Sequence, residues 1–379
     1  DQLLKAAELV DAGNPYSTRE ILARLNHQLP PSPIGLKPLL RTAFLFKEVL
    51  LRLLLANQNN PCSSPPPPPP HHQSNPWDVV LKLSSYKAFS EVSPLLHFTN
   101  FTCTQALVEQ IGNLEDRIHI VDFDLGVGCQ WSSFIQELAV AHHHRSRSPS
   151  LKITAFVSPS SFHHPLELQL ISDNLAQFAA HLHIPFQFSA LPVESFNPND
   201  LLALSSPNNN NEAIAVNLPI GSHYPHSFPT LLKLVKQLNP KVVVSVDQGC
   251  DRSDLPFPQY FLHSFHSCMI LLDSLDAAAG TNNADVINKI ERMLVQPRME
   301  SLLVGRHRCG EENIKMPSWR ALFATVGFVP VQFSNFTETQ AECLLKRVQV
   351  RGFIVDKRQG SLVLYWQRGE LGSVSAWRC

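Results

Sequence analysis

The residues that most invite a chemical reading lie between Ile118 and Trp131. There an apolar run, Ile118-His119-Ile120-Val121, meets Asp122-Phe123-Asp124-Leu125-Gly126-Val127-Gly128-Cys129-Gln130-Trp131. A buried strand followed by closely spaced glycines and an amphipathic run opens many nucleotide-binding α/β sheets, because glycine lets backbone amides approach a phosphate or sugar. Asp124, Gly126 and Gly128 meet that requirement, but Gln130 stands where a third small residue is expected and fills ligand space. The next strand, residues 151–157, should end in a carboxylate that accepts the ribose hydroxyls; it runs instead into Ser158-Pro159-Ser160-Ser161. The turn is therefore expected not to grip a dinucleotide or a methyl-donor cofactor, and no cofactor is assigned. Two readings remain for Asp122 and Asp124. They bond the turn's own amides, or they line a surviving polar pocket with Gly126, Gly128, Gln130 and Asn217.

Other chemistry has less to stand on. Histidines gather at His163-His164, His223 with His226, and His263 with His266, without the cysteine or histidine pairs of a zinc site, so no metal is expected. No G-x-S-x-G elbow, P-loop lysine or H-E-x-x-H helix occurs, and no catalytic residue is assigned. The eight cysteines are scattered, with no C-x-x-C pair, which fits a reducing compartment. A net charge of -1 and a pI near 7.1 exclude an overall basic field that would draw the chain onto nucleic acid. The densest positive stretch, Arg298, Arg306, His307, Arg308 and Lys315, either touches phosphate where a partner delivers DNA or forms a solvated face neutralised by Glu300, Glu311 and Glu312. The longest apolar run, Ala43 to Ala56, is broken by Lys47, Glu48 and Arg52 and cannot cross a bilayer. The chain begins at Asp1 rather than Met, so an upstream segment is expected.

The elements that must position these residues follow from periodicity. Three helices are expected before residue 57: one ending at Gly13-Asn14-Pro15, one opening on a Ser17/Glu20 capping box, and one from about Leu36 that is apolar over much of its circumference. Residues 57–76, with six consecutive prolines, form a spacer loop. Helices return over 77–112, giving a helical cap at 1–112. The core, 113–379, alternates strands near 117–123, 151–157, 185–189, 213–218, 241–246 and 328–333 with helices near 130–142, 165–182, 198–205, 228–238, 257–278, 285–303 and 317–326. Part of 255–310 is expected to join the cap. Two final strands, 350–355 and 361–366, form a hairpin, and Trp377 packs a terminal strand into the sheet. The whole is one α/β domain.

A parallel sheet that opens on a glycine turn and closes on an antiparallel hairpin resembles the Rossmann-like core of class I S-adenosylmethionine-dependent methyltransferases. Asn217-Leu218-Pro219 is similar to the Asn-Pro-Pro loop of amino-group methyltransferases, with leucine in place of the first proline. Across its whole length the chain resembles the plant GRAS family of transcriptional regulators, in its scarecrow-like and Hairy Meristem branch. The leucine-rich opening lies at Leu3–Leu55, the VHIID motif at Ile118-His119-Ile120-Val121-Asp122 with valine for the second isoleucine, and a second leucine-rich region around Leu168 to Ile184. Asp273-Ser274-Leu275-Asp276-Ala277 and the terminal Ser375-Ala376-Trp377 complete the series. That resemblance implies a nuclear, non-enzymatic regulator that contacts DNA-binding factors, namely Indeterminate Domain zinc-finger and Wuschel-type homeodomain proteins, and pairs with GRAS proteins, itself included, as a homodimer. DNA would be reached mostly through the partner. The alternatives are an atypical methyltransferase or small-ligand sensor, and a direct DNA-binding factor.

Overall fold

The protein was analysed as a computed structural model that describes residues 1–30, 32–58, 76–111, 115–141, 148–157, 165–192, 212–221, 228–249, 252, 254–280, 283–308, 317–348 and 350–379. The poly-proline spacer, the serines after residue 157, the expected helix at 198–205, and Lys315 lie outside those residues.

Helices α1 (Gln2–Asp11), α2 (Pro15–Gln28) and α3 (Pro38–Gln58) pack on one another. The second helix starts one turn earlier than its Ser17/Glu20 spacing suggests. Asn14 is the N-cap, its side chain accepts from the Ser17 amide, and Pro15 occupies the first turn, where a missing N–H costs nothing. Helix α4 (Pro76–Val92) follows the spacer. Helix α5 (Leu95–Ile111) is buried nearly all round and lies on the sheet against β5 and β9, so the peripheral helical layer ends before residue 112.

Five parallel strands, β1 (Arg117–Asp122), β2 (Ser150–Val157), β3 (Phe186–Pro192), β4 (Ala213–Asn217) and β5 (Val242–Asp247), and three antiparallel ones, β7 (Phe353–Arg358), β8 (Ser361–Trp366) and β9 (Gly369–Arg378), line up as β3-β2-β1-β4-β5-β9-β8-β7. The strand order reverses between β1 and β4, where open α/β sheets place their ligands. The expected sixth strand does not extend the parallel run. β6 (Val329–Val331) pairs antiparallel with the end of β9, off the main path. The terminal hairpin is shifted: its turn is Gln359-Gly360, both with positive φ (50° and 78°), which matches the twist of the flanking strands.

Helices α6 (Cys129–Ala141) and α7 (Pro165–His181) follow β1 and β2, and α8 (Phe228–Gln237) follows β4. Then α9 (Phe257–Ala279), α10 (Ala284–Ile290), a π turn (Glu291–Val295) and α11 (Gln296–Arg308) occupy the region expected to carry two long helices. Here α9 packs on α1 and α3, and α11 packs on α3. Arg41 of α3, 6% exposed, binds Asp276 of α9 at 2.6 Å and Glu291 of the π turn at 3.1 Å. Removing both carboxylates would strand a buried guanidinium, so this triad ties the two helical groups together. Burial raises the Glu291 carboxyl to about 7, with Arg41 opposing the rise and Asp276 adding to it. Helix α12 (Trp319–Val326) covers the far face of the sheet, and α13 (Asn335–Leu345), which no periodicity indicated, packs on α5 and β7.

Alternation along the strands sends Ile118 and Ile120 into one core with Phe46, Phe98, Trp131 and Phe261, and Val121 and Phe123 into a second with Phe323, Phe328 and Trp377. Among the described residues no helix is long and apolar enough to cross a membrane.

Candidate functional site

Asp122 ends β1 fully buried, and the protein supplies its partners. Its Oδ1 accepts from the Asp124 amide at 2.9 Å and from Asn217 Nδ2 at 2.8 Å; its Oδ2 accepts from the Trp131 indole at 2.7 Å. One carboxylate therefore fixes the glycine turn, the first helix after it and the end of β4. Burial pushes its pKa up to about 6; these same hydrogen bonds hold it below where desolvation alone would take it. Asp124 is exposed at the rim.

The glycines differ. Both Gly126 and Gly128 have positive φ (53° and 77°), but a Cβ on Gly126 would meet no neighbour, whereas one on Gly128 would lie 2.9 Å from Ile171 Cγ2 of α7. Gly128 therefore serves helix packing, and α7 occupies the ground beside it. Gln130 is half-buried and its Nε2 has no hydrogen-bond partner. Asn217 is 3% exposed, and its Oδ1 is likewise without a partner. The structure thus brings Asp122, Asp124, Gly126, Gly128, Gln130 and Asn217 to one end of the sheet. Two of those polar atoms are left unspent.

His119 of the same strand is buried on the opposite face, where its Nε2 meets Thr154 Oγ1 at 2.9 Å and its Nδ1 lies 3.6 Å from Glu212 Oε2. Burial lowers its pKa to about 4, with Lys152 adding to the fall, so the ring is neutral.

The expected DNA-contact set comes apart. Arg306 is 6% exposed, donates Nη2 to the Leu255 carbonyl at 2.7 Å and lies over the Tyr260 ring, so it is an internal strut and not a phosphate contact. Arg298 is half-buried on α11, and its charge is felt by Asp247 at the end of β5. Lys315 and the Arg308 side chain lie outside the described residues. Sequence spacing grouped these cations by their numbers. The helix sends Arg298 and Arg306 to different surroundings.

Sequence reasoning missed a second hub. Asp247 ends β5 and accepts from the Gly249 amide at 2.9 Å and from the Trp319 indole at 3.1 Å. Arg320 stacks over Trp319, its guanidinium 4.2 Å from the ring centroid, and donates Nη1 to Ser361 (2.6 Å) and Ser375 (3.3 Å), whose hydroxyls lie 2.7 Å apart. Ser375 is thus a buried polar rivet, Ala376 faces one core, and Trp377 stacks on Phe323 in the other at 4.5 Å. Trp366 donates to Asp273 at 2.7 Å, which joins β8 to α9. Trp377 was expected to pack; the Asp–Trp pairings left no signal in spacing.

The GRAS domain family matches residues 1–378, and the chain belongs to that family of plant transcriptional regulators. It is 45% identical to Scarecrow-like protein 6 of Arabidopsis thaliana over all of this chain and 62% of that protein, and 43% identical to Scarecrow-like protein 27 of the same plant over all of this chain and 58% of that protein. Protein NODULATION SIGNALING PATHWAY 2 of Medicago truncatula is 30% identical over 78% of this chain. The crystal structure of SCL7 in Oryza sativa superposes with a TM-score of 0.71 at 26% identity, covering 100% of this chain and 98% of that one. The chain spans about six-tenths of the length of the curated relatives it matches (62% and 58%).

Proposed function

We propose that the chain acts without catalysis, as a nuclear co-regulator that contacts DNA-binding transcription factors through its helical elements, and that its core is a methyltransferase-like sheet kept as scaffold. The observation that carries this reading is the state of Asp122. The acid best placed to serve a ligand at the reversal of strand order spends both oxygens on Asp124, Trp131 and Asn217 of its own chain. The strand order, five parallel strands followed by an antiparallel one, supports the methyltransferase-like description. The cap in this reading is α1 to α4 with α9 to α11. It presents exposed Leu39 and Leu55 on α3 and exposed Trp77, Val80 and Leu81 on α4. Zinc-finger factors of the Indeterminate Domain group, Wuschel-type homeodomain proteins and a second GRAS chain are the partners proposed.

The test is a gel shift with purified components. The chain should retard a homeodomain–DNA or zinc-finger–DNA complex and leave naked DNA unmoved. Retardation of naked DNA, with no further shift of either complex, would replace this reading with direct DNA binding. Calorimetry with S-adenosylmethionine addresses the enzyme alternative: binding heat that disappears in Gly126→Trp, where a side chain meets no neighbour, would overturn the scaffold reading.

A further inference from the structure

Lys82 and Tyr86 stand four residues apart on α4 and so share a face. Lys82 Nζ bridges both oxygens of Glu167, at 2.9 and 3.1 Å, and pins that face to the first turn of α7. Tyr86 lies one turn further along that face, and its hydroxyl is acted on by Asp124, Glu167 and Cys129 and, in the opposite sense, by Arg298. α4 also packs on the π turn that leads into α11, the helix that carries Arg298.

The groups gathered there divide by what they have left to give. Glu167 is neutralised by Lys82, Asp247 is taken up by the Gly249 amide and Trp319, and Asp124 is exposed and screened by solvent. Arg298 and the Tyr86 hydroxyl make no hydrogen bond or ion pair with a described residue, and Gln130 Nε2 is buried without an acceptor. A buried donor left unmet is destabilising. The amino end of α6 begins at Cys129 and adds its positive dipole end to the same spot. What remains unspent at this mouth is mainly donors; a buried acceptor is also left over, Asn217 Oδ1, on a side chain whose amide is held by Asp122.

We infer that the cap and the glycine turn together bind a small anion, a carboxylate or a phosphate, with Arg298 as the charged anchor and Tyr86 and Gln130 as hydrogen-bond donors. The ligand enters between α4 and the turn, so it joins the cap to the core. This inference is independent of partner recognition, and its failure leaves the co-regulator reading standing.

The experiment uses the intact chain, with inorganic phosphate followed by phosphorus NMR line broadening and acetate followed by saturation transfer. Saturable binding of either anion in the millimolar range is expected, and which one saturates tells phosphate from carboxylate. Arg298→Gln should weaken it about tenfold, the equivalent of one lost charge-assisted hydrogen bond. Tyr86→Phe should weaken it severalfold, and the exposed Arg351→Gln should leave it unchanged. If Arg298→Gln does not fold, Arg298→Lys keeps the charge and should retain most of the affinity. Absence of saturation by both anions, or equal weakening by the substitutions at 298 and 351, overturns the site and reduces it to diffuse surface attraction.

Discussion

At the carboxyl end of β1, Asp122 accepts the amide two residues ahead and an indole 2.7 Å away; at the carboxyl end of β5, Asp247 accepts the amide two residues ahead and an indole 3.1 Å away. The two hubs sit on opposite faces, since Trp131 belongs to the core beneath the cap and Trp319 to the core beneath α8 and α12. They differ in charge compensation. Asp247 is raised by burial and held back by Gly249, Trp319, Arg320 and Arg298, whereas no cation acts on Asp122. The β5 hub therefore resembles an ordinary compensated buried acid. The β1 hub has only neutral hydrogen bonds, beside the glycine turn where the strand order reverses.

The largest effect is expected on the β5 side. Trp377 stacks on Phe323 and meets Trp319 edge-on at 6.1 Å, so Trp377→Ala removes a wall of the β5 hub as well as core volume. Urea unfolding should show a loss of about 4 kcal/mol. An unchanged midpoint with lost partner binding would make the terminal motif a contact surface and end its comparison with a structural hub.

Next come the two glycines beside the β1 hub. Gly128→Ala has both the positive φ and the Ile171 contact against it and should cost about 3 kcal/mol; Gly126→Ala has the backbone term alone, about 1 kcal/mol. Combining Gly128→Ala with Ile171→Val should recover part of the loss. Equal costs at the two positions would mean that α7 yields freely, and that packing against Ile171 is not what requires glycine at position 128.

The indole bonds can then be compared directly, because phenylalanine keeps most of the ring and deletes the donor. Trp131→Phe should cost about 2 kcal/mol, leaving a buried carboxylate oxygen unmet; Trp319→Phe should cost about 1 kcal/mol, because Arg320 remains near its acid. Reversal of that order in thermal melts would show that cation compensation is not what separates the hubs.

These two hubs also mark what was legible in the sequence. Asp122 and Trp131 are nine residues apart in one strand–turn–helix unit, so the motif itself put them in view, though their bond was not read. Asp247 and Trp319 are 72 apart, and only the order of strands joins them. The parallel alternation from β1 to β5 was legible because each strand is an apolar run bounded by turns. β6 was placed in that alternation wrongly, because three residues beside a helix carry no sign of which neighbour they pair with. The inward turn of Arg306 was illegible for a related reason: a run of cations reads as a surface until helix phase and the Leu255 carbonyl are known.

The most discriminating effect is in pH. Asp122 has an ordinary value of 3.8 and is held at about 6 in the folded chain, so between those values the native state binds the extra proton. The stability it lends is complete below the lower value and is lost as pH rises through the higher one. His119 works in the opposite sense, with an ordinary value of 6.5 and a folded value of about 4, so its contribution is present above 6.5 and is lost as pH falls through 4. Across roughly pH 4–6 the two oppose each other and the parent curve should be nearly flat from this pair. Asp122→Asn removes one of them. Its stability, measured by urea unfolding at closely spaced pH values, should fall on acidification more steeply than the parent's, by up to about 1.4 kcal/mol per pH unit. Parallel curves for parent and variant would mean that Asp122 stays ionised throughout, and then the hub of β1 would have to be compensated as fully as that of β5.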